Sequence, residues 1–218
     1  HRGHVGGAGD AEAAAAWQAW QKNLGRRFVQ MLLVADALRA EGKDVVVTRE
    51  PGGTELAEKV REILLDKNHT ELSSQAELLL VFAARAQHLA ELIRPALQRG
   101  DTVLCDRFTD ATWAYQGGGR GVPDENIAAL EQLVHGDLQP DLTLLLDVPV
   151  EQGLQRALLR SESDRFEEES VTFFERVRQA YLRRAAAAPE RFAIIDASGS
   201  VEAVWARVKS ILEQRMMS

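Results

Sequence analysis

The hydrophobic positions along the chain alternate between two periods. "LLVADALRAEG" (32–42) spaces its apolar residues as a helix does and closes on Gly42, which suits the left-handed position after a helix end. "DVVVT" (44–48) follows as a short β-branched run, apolar throughout, and predicts a buried strand. "ELAEKVREILLD" (55–66) predicts an amphipathic helix with Leu56, Val60, Ile63 and Leu64 on one face. A longer helical region covers 74–98 and contains Pro95. Further strands are predicted at "TVLCD" (102–106), "LTLLLD" (142–147) and "RFAIID" (191–196), with helices near 124–136, 150–160, 166–187 and 200–215.

Strands that are apolar on both sides and separated by helices predict an α/β fold, a parallel sheet flanked by helices. Ligands of such sheets gather beyond the carboxyl ends of the strands. Three predicted strand ends carry polar residues: Thr48-Arg49-Glu50, Asp106-Arg107 and Asp147. For Asp147, a ligand-facing role and simple capping of the next turn both stand. The length of 218 residues, with no internal repeat and no long linker, predicts a single domain over 1–218.

Composition narrows the function. Apolar residues make up 45% and charged residues 27%, as in ordinary globular proteins. The net charge of −7 argues against a broad grip on nucleic acid, and leaves room for a small anion held by a few arginines. One cysteine, Cys105, forms no internal disulfide, which points to a reducing compartment. No apolar run reaches membrane-spanning length and the first residues lack a signal-peptide pattern, so a cytoplasmic location is expected.

Four segments offer chemistry. In "TREPGGT" (48–54) an arginine emerges from a strand into a sharp Pro-Gly-Gly turn, where it can meet a phosphate bidentately. In "VFAARAQ" (81–87), Phe82 and Arg85 share a helix face with Val81, an aromatic beside a planar guanidinium that suits a flat heterocycle. The same spacing also describes plain core. In "DRFTDATWAYQGGGRG" (106–121), Asp106 could orient the water shell of a metal and Arg107 could neutralise a phosphate. Thr112, Tyr115 and Gln116 offer hydroxyl, ring and amide, while Gly117 to Gly119 permit close backbone approach or positive φ. In "RALLRSESDRFEEES" (156–170), Arg156, Arg160 and Arg165 surround a polar break, as in a flap that closes over transferring phosphates or an exposed charged connection.

Together "TREPGGTELAEKVREILL", "FAARAQH", "CDRFTDATWAYQGGGRG", "LQPDLTLLLDVP" and "SDRFEEES" resemble the bacterial thymidylate kinases in order and spacing, from about residue 32 to the C-terminus. The resemblance implies a three-layer P-loop nucleoside-monophosphate kinase fold with a lid at about 156–170, and transfer of the γ-phosphoryl group of ATP to dTMP with Mg²⁺. Carried over by motif, Arg49 and Arg107 would hold the acceptor phosphate, with Glu50 beside them in the substrate site. Arg85 would hydrogen-bond thymine, Thr112 and Gln116 would add polar contacts, and Tyr115 would press near the sugar. Phe82 or Val81 would face the ring; the family often has its aromatic four positions before the arginine, which here is Val81. Asp106 would organise Mg²⁺, and Arg160 would stabilise the transferring charge, supported by Arg156 and Arg165 in the ATP and lid region. A cis Glu50–Pro51 bond and a homodimer are implied as well. A nucleoside or shikimate kinase shares the fold but is disfavoured by the thymine-facing set.

The chain departs from the family in one place. A strand followed by G-x-x-x-x-G-K-[ST] should hold the ATP phosphates, and the sequence contains no such motif. Where its lysine belongs, near 26–28, the sequence reads "RRF". Gly7-Ala8-Gly9 is followed by Asp10, whose carboxylate would repel a triphosphate. Residues 11–22 prefer helix, with Trp17 and Trp20 on one face, and Arg26 and Arg27 offer phosphate contacts without a glycine cradle. Two readings follow: residues 1–30 are not the natural N-terminus, through a shifted reading frame for example, or the chain is a pseudokinase that binds dTMP without turnover.

Overall fold

The computed structural model describes residues 25–69, 71–158, 165–166 and 168–216. The expected helix over 11–22, Gly7 to Asp10, and residues 159–164 and 167 of the expected lid, Arg160 among them, lie outside the described residues.

Helix α1 (Arg26–Ala40) leads through Gly42, at φ 79°, into strand β1 (Val45–Arg49). Then come α2 (Glu55–Leu65) and α3 (Ser74–His88). The expected helix over 74–98 is not regular: a π-helical turn, Leu89–Ile93, links α3 to the short α4 (Arg94–Arg99). Pro95 supplies the reason, since its ring lacks an N–H and crowds the carbonyl four residues back, which a widened turn relieves. Strand β2 (Thr102–Asp106) follows, then the one-turn α5 (Thr109–Thr112), a π-helical segment Trp113–Gly119, and α6 (Asp124–Val134). The chain continues as β3 (Thr143–Asp147), α7 (Val150–Leu158), α8 (Val171–Ala187), β4 (Phe192–Asp196) and α9 (Val201–Arg215). Side chains of Thr54, Ser73, Ser170 and Ser200 accept the free backbone N–H groups at the starts of α2, α3, α8 and α9.

All strand pairing among the described residues is parallel. Strand β1 pairs with β2, bringing Arg49 beside Asp106, and β3 pairs with β4, bringing Asp147 beside Asp196. The expected sheet is therefore present as two pairs, and no ladder joins β2 to β3 among the described residues. Both pairs pack on one apolar layer: Val45, Leu104 and Leu144 meet Val34 and Leu38 of α1 and Val204, Val208 and Leu212 of α9. The residues of β2 and β3 are only partly buried.

The apolar face expected on α2 is divided. Leu64 is buried with Ala57, whereas Leu56 and Ile63 are 52% and 42% exposed. Helical spacing groups these residues, but α3 covers only the Ala57/Leu64 side.

Candidate functional site

The carboxyl ends of β1 and β2 gather most of the expected site residues, because the parallel register aligns the two polar strand ends at one edge. The turn after β1 holds a cis Glu50–Pro51 bond, as the resemblance implies. Gly53 sits at φ 88°, and a Cβ there would lie 2.5 Å from both His88 Nε2 and Thr48 Oγ1, so the turn must pass directly over those side chains.

Arg85 is the buried centre of the site. Its side chain is 2% exposed and donates from Nε to Glu50 Oε2 at 2.7 Å and from Nη2 to Thr112 Oγ1 at 3.0 Å. Phe82 and Phe108 lie at 4.8 Å and 5.2 Å from its Cζ. Nη1 is buried and has no partner among the described residues, a donor that a ligand carbonyl would satisfy. Burial alone would raise the pKa of Glu50, but the charge of Arg85 and hydrogen bonds from His88 and Arg85 outweigh it and hold the carboxyl below its ordinary value. Phe82 also belongs to a core cluster with Leu78, Val122 and Ile127, so the packing role and the place beside Arg85 coincide.

The two phosphate candidates sit differently. Arg49 makes a two-point contact with Glu58, Nε to Oε1 at 3.3 Å and Nη2 to Oε2 at 2.8 Å, and both side chains remain partly exposed. Glu58 also accepts from the backbone N–H of Gly53, which ties Arg49 to the turn. Arg107 has φ 70°, a left-handed conformation that costs a side-chain-bearing residue about 1–2 kcal/mol and turns it away from the strand direction. Its Nη2 donates to the Tyr115 hydroxyl at 3.1 Å, with Cζ 4.6 Å from the ring centroid. Tyr115 in turn meets Phe166, Phe173 and Tyr181 edge-on. Asp106, between these arginines in sequence, is paired through Oδ1 with Arg27 Nε at 2.6 Å.

Gln116 is buried and donates to Glu77 Oε1 at 2.8 Å. Arg165 is likewise placed on Glu77, Nη2 to Oε2 at 2.6 Å, and its Nε donates to the Leu64 carbonyl. Arg156 stands apart, donating to the carbonyls of Ala197 and Ser198 at 2.8 Å and 2.7 Å. With Arg26, Gln152, Gln155 and Ser198 to Ser200 it borders a cavity of about 460 Å³. Asp147, for which two readings stood, is engaged by Arg178 through both carboxylate oxygens at 2.7 Å. The glycine run has neither positive φ nor an open face. A Cβ at Gly118 would lie 2.6 Å from Ala180 Cβ, and one at Gly119 2.5 Å from the Phe173 ring, so these glycines let α8 pack against the segment.

Sequence reasoning missed Glu58, Glu77 and His88. Glu77 and His88 carry a signal in retrospect: residues 77, 81, 85 and 88 follow helical spacing along one face of α3, and polar residues there interrupt an apolar stripe. Glu58 carries none, since it reads as an ordinary exposed position of an amphipathic helix.

Among the described residues no three His, Cys, Asp or Glu side chains cluster as a metal site, and no helix is long and apolar enough to cross a membrane. Mg²⁺ bound mainly by phosphates needs only one or two protein carboxylates, and Asp106 at the strand end fits that demand.

Comparison with known proteins places this geometry. The profile of the family described as thymidylate kinase matches residues 28–208. A thymidylate kinase of Pseudomonas putida is 63% identical over 179 residues, covering 82% of this chain and 85% of the relative. One of Pseudomonas syringae pv. tomato is 60% identical over 181 residues, covering 83% and 86%. The crystal structure of thymidylate kinase from Ehrlichia chaffeensis superposes with a TM-score of 0.69 at 33% identity, covering 85% of this chain and 91% of that one.

Proposed function

The chain belongs to the thymidylate kinase family, and we propose here how its residues move the γ-phosphoryl group of ATP onto dTMP. The protein is a transferase, a kinase acting on dTMP. The observation that carries the site assignment is the buried Arg85 held on Thr112, whose Nη1 has no partner among the described residues. A pyrimidine carbonyl would accept from Nη1, and a base without an acceptor there would leave the donor unsatisfied.

Arg49 and Arg107 approach from neighbouring strand ends and hold the acceptor phosphate, with Tyr115 set beside Arg107 near the sugar. Two anionic nucleotides repel each other unless cations offset the charge, and these arginines provide part of that offset. Asp106 is the carboxylate that would hold Mg²⁺, which supplies charge neutralisation across the donor phosphates. Arg160 serves as the cation on the transferring group, and the cavity between Arg26 and Arg156 takes the donor nucleoside. Arg165, fixed on Glu77, anchors the far end of the lid segment.

Residues 1–218 act as one kinase domain in the cytoplasm, and the exposed apolar side chains Leu56 and Ile63 of α2 face a second copy in a homodimer. A coupled assay of ADP release with dTMP and Mg-ATP tests the function. Release that depends on dTMP and exceeds that with dCMP is expected; ADP release indifferent to dTMP refutes it.

A further inference from the structure

We propose that His88 is a positioning residue for nucleobase reading: it fixes the Glu50 carboxylate and, through it, the in-plane orientation of Arg85. The inference rests on the assignment of Arg85 to the base.

The rings of Phe82 and Phe108 lie 4.8 Å and 5.2 Å from the guanidinium carbon, but such non-directional contacts do not fix which way its N–H groups point. That direction is set by the Nε bond to Glu50 and the Nη2 bond to Thr112. A carboxylate turns easily about its last torsion, so Glu50 can fix Arg85 only if Glu50 is itself fixed. His88 does this. Its side chain is wholly buried, and Nδ1 lies 3.0 Å from Glu50 Oε1. The carboxylate can only accept, so Nδ1 donates. The other ring nitrogen meets the Thr48 hydroxyl at 2.7 Å, at the end of β1. The turn at Gly53 passes the same edge of the imidazole so closely that a side chain there would collide with Nε2. An unbroken line of contacts thus runs from strand end to guanidinium, and Nη1 is left directed at the ligand. With both ring nitrogens engaged and no exposure, His88 does not itself touch substrate.

A merely space-filling histidine predicts different behaviour from its variants. The amide of Asn can stand in for Nδ1 and keep the contact with Glu50, whereas that of Gln stands in for Nε2 and keeps only the contact with Thr48. Displacement titration is performed with dTMP and with 2-deoxyribose 5-phosphate, which lacks the base. His88→Gln is expected to weaken dTMP about tenfold, the scale of one charge-assisted hydrogen bond, with the base-free ligand unaffected. His88→Asn loses less, and His88→Gln adds nothing in an Arg85→Lys background. The proposal is overturned if both ligands weaken together, if Asn is as damaging as Gln, or if the His88→Gln effect persists in that background. Should His88→Gln fail to fold, Thr48→Val removes only the far end of the line. It is then expected to weaken dTMP selectively, and no selective change overturns the proposal. If Arg85→Lys leaves the preference for dTMP over the base-free ligand intact, the base-site assignment fails and this proposal with it. If Arg85→Lys abolishes that preference while His88→Gln does not, the role of His88 alone is refuted.

Discussion

Glu50 Oε2 and Arg85 Nε lie 2.7 Å apart with neither side chain more than 3% exposed, so the site is built around a fully desolvated ion pair. Removing one member of such a pair strands the other charge in a poor solvent. Glu50→Ala is expected to lower the unfolding free energy by about 3–5 kcal/mol, read as a fall in the urea midpoint. A change below about 1 kcal/mol would mean that the cavity admits water to the pair.

Arg49 and Glu58 form the opposite kind of pair, close to half-exposed. Such contacts contribute about 0–1 kcal/mol, so an incoming phosphate dianion competes with Glu58 easily. Arg49→Ala should raise KM for dTMP about 10- to 100-fold, the loss of a charge-assisted contact, whereas Glu58→Gln should move it less than about threefold. Steady-state kinetics on both variants decides this; equal effects would assign Glu58 a direct share in binding.

Two glycines should respond to alanine with opposite signs. At Gly118 the new methyl would meet Ala180 Cβ at 2.6 Å and the Arg176 carbonyl oxygen at 2.9 Å, backbone that cannot give way cheaply. Gly118→Ala is expected to cost about 1–3 kcal/mol of stability. Gly153, inside α7, has only Val148 Cγ1 at 3.6 Å, an ordinary contact, and Gly153→Ala should stabilise by about 0.5–1 kcal/mol. Thermal unfolding of the pair checks both signs.

His135 links stability to pH. Its Nδ1 contacts the Leu138 carbonyl at 3.0 Å, and burial lowers its pKa below the ordinary histidine value despite the nearby Glu131. With the folded value depressed, the unfolded chain binds the proton more readily between the two values, so stability falls as pH drops through about 6.5. His135→Gln should flatten the slope of unfolding free energy between pH 7 and the lower folded value. An unchanged slope would show that other groups carry the dependence.

Local physics made much of the molecule legible. The β-branched runs at 44–48 and 102–106 are strands, and Gly42 ends its helix as expected, because torsional preference and capping act over a few neighbouring residues. Motifs at strand ends marked Arg49, Asp106 and Arg107, since a parallel register carries such ends to one edge. Helical spacing misjudged α2, where Leu56 and Ile63 stay outside, because period alone cannot say how wide a stripe the neighbouring helix covers. The close approach that the glycine run permits is made at 118 and 119 by α8, more than fifty positions onward, and without positive φ.

The order of residues was enough to establish most of the helices and strands and which charged side chains stand at the strand ends. Which carboxylate holds which cation was settled only when distant segments met: Glu50 with Arg85 across 35 positions, Glu77 with Arg165 across 88. The reason is range. Backbone preferences are fixed by adjacent atoms, whereas an ion pair forms only between groups brought within a few ångströms, and its strength depends on how much water the surrounding fold has excluded.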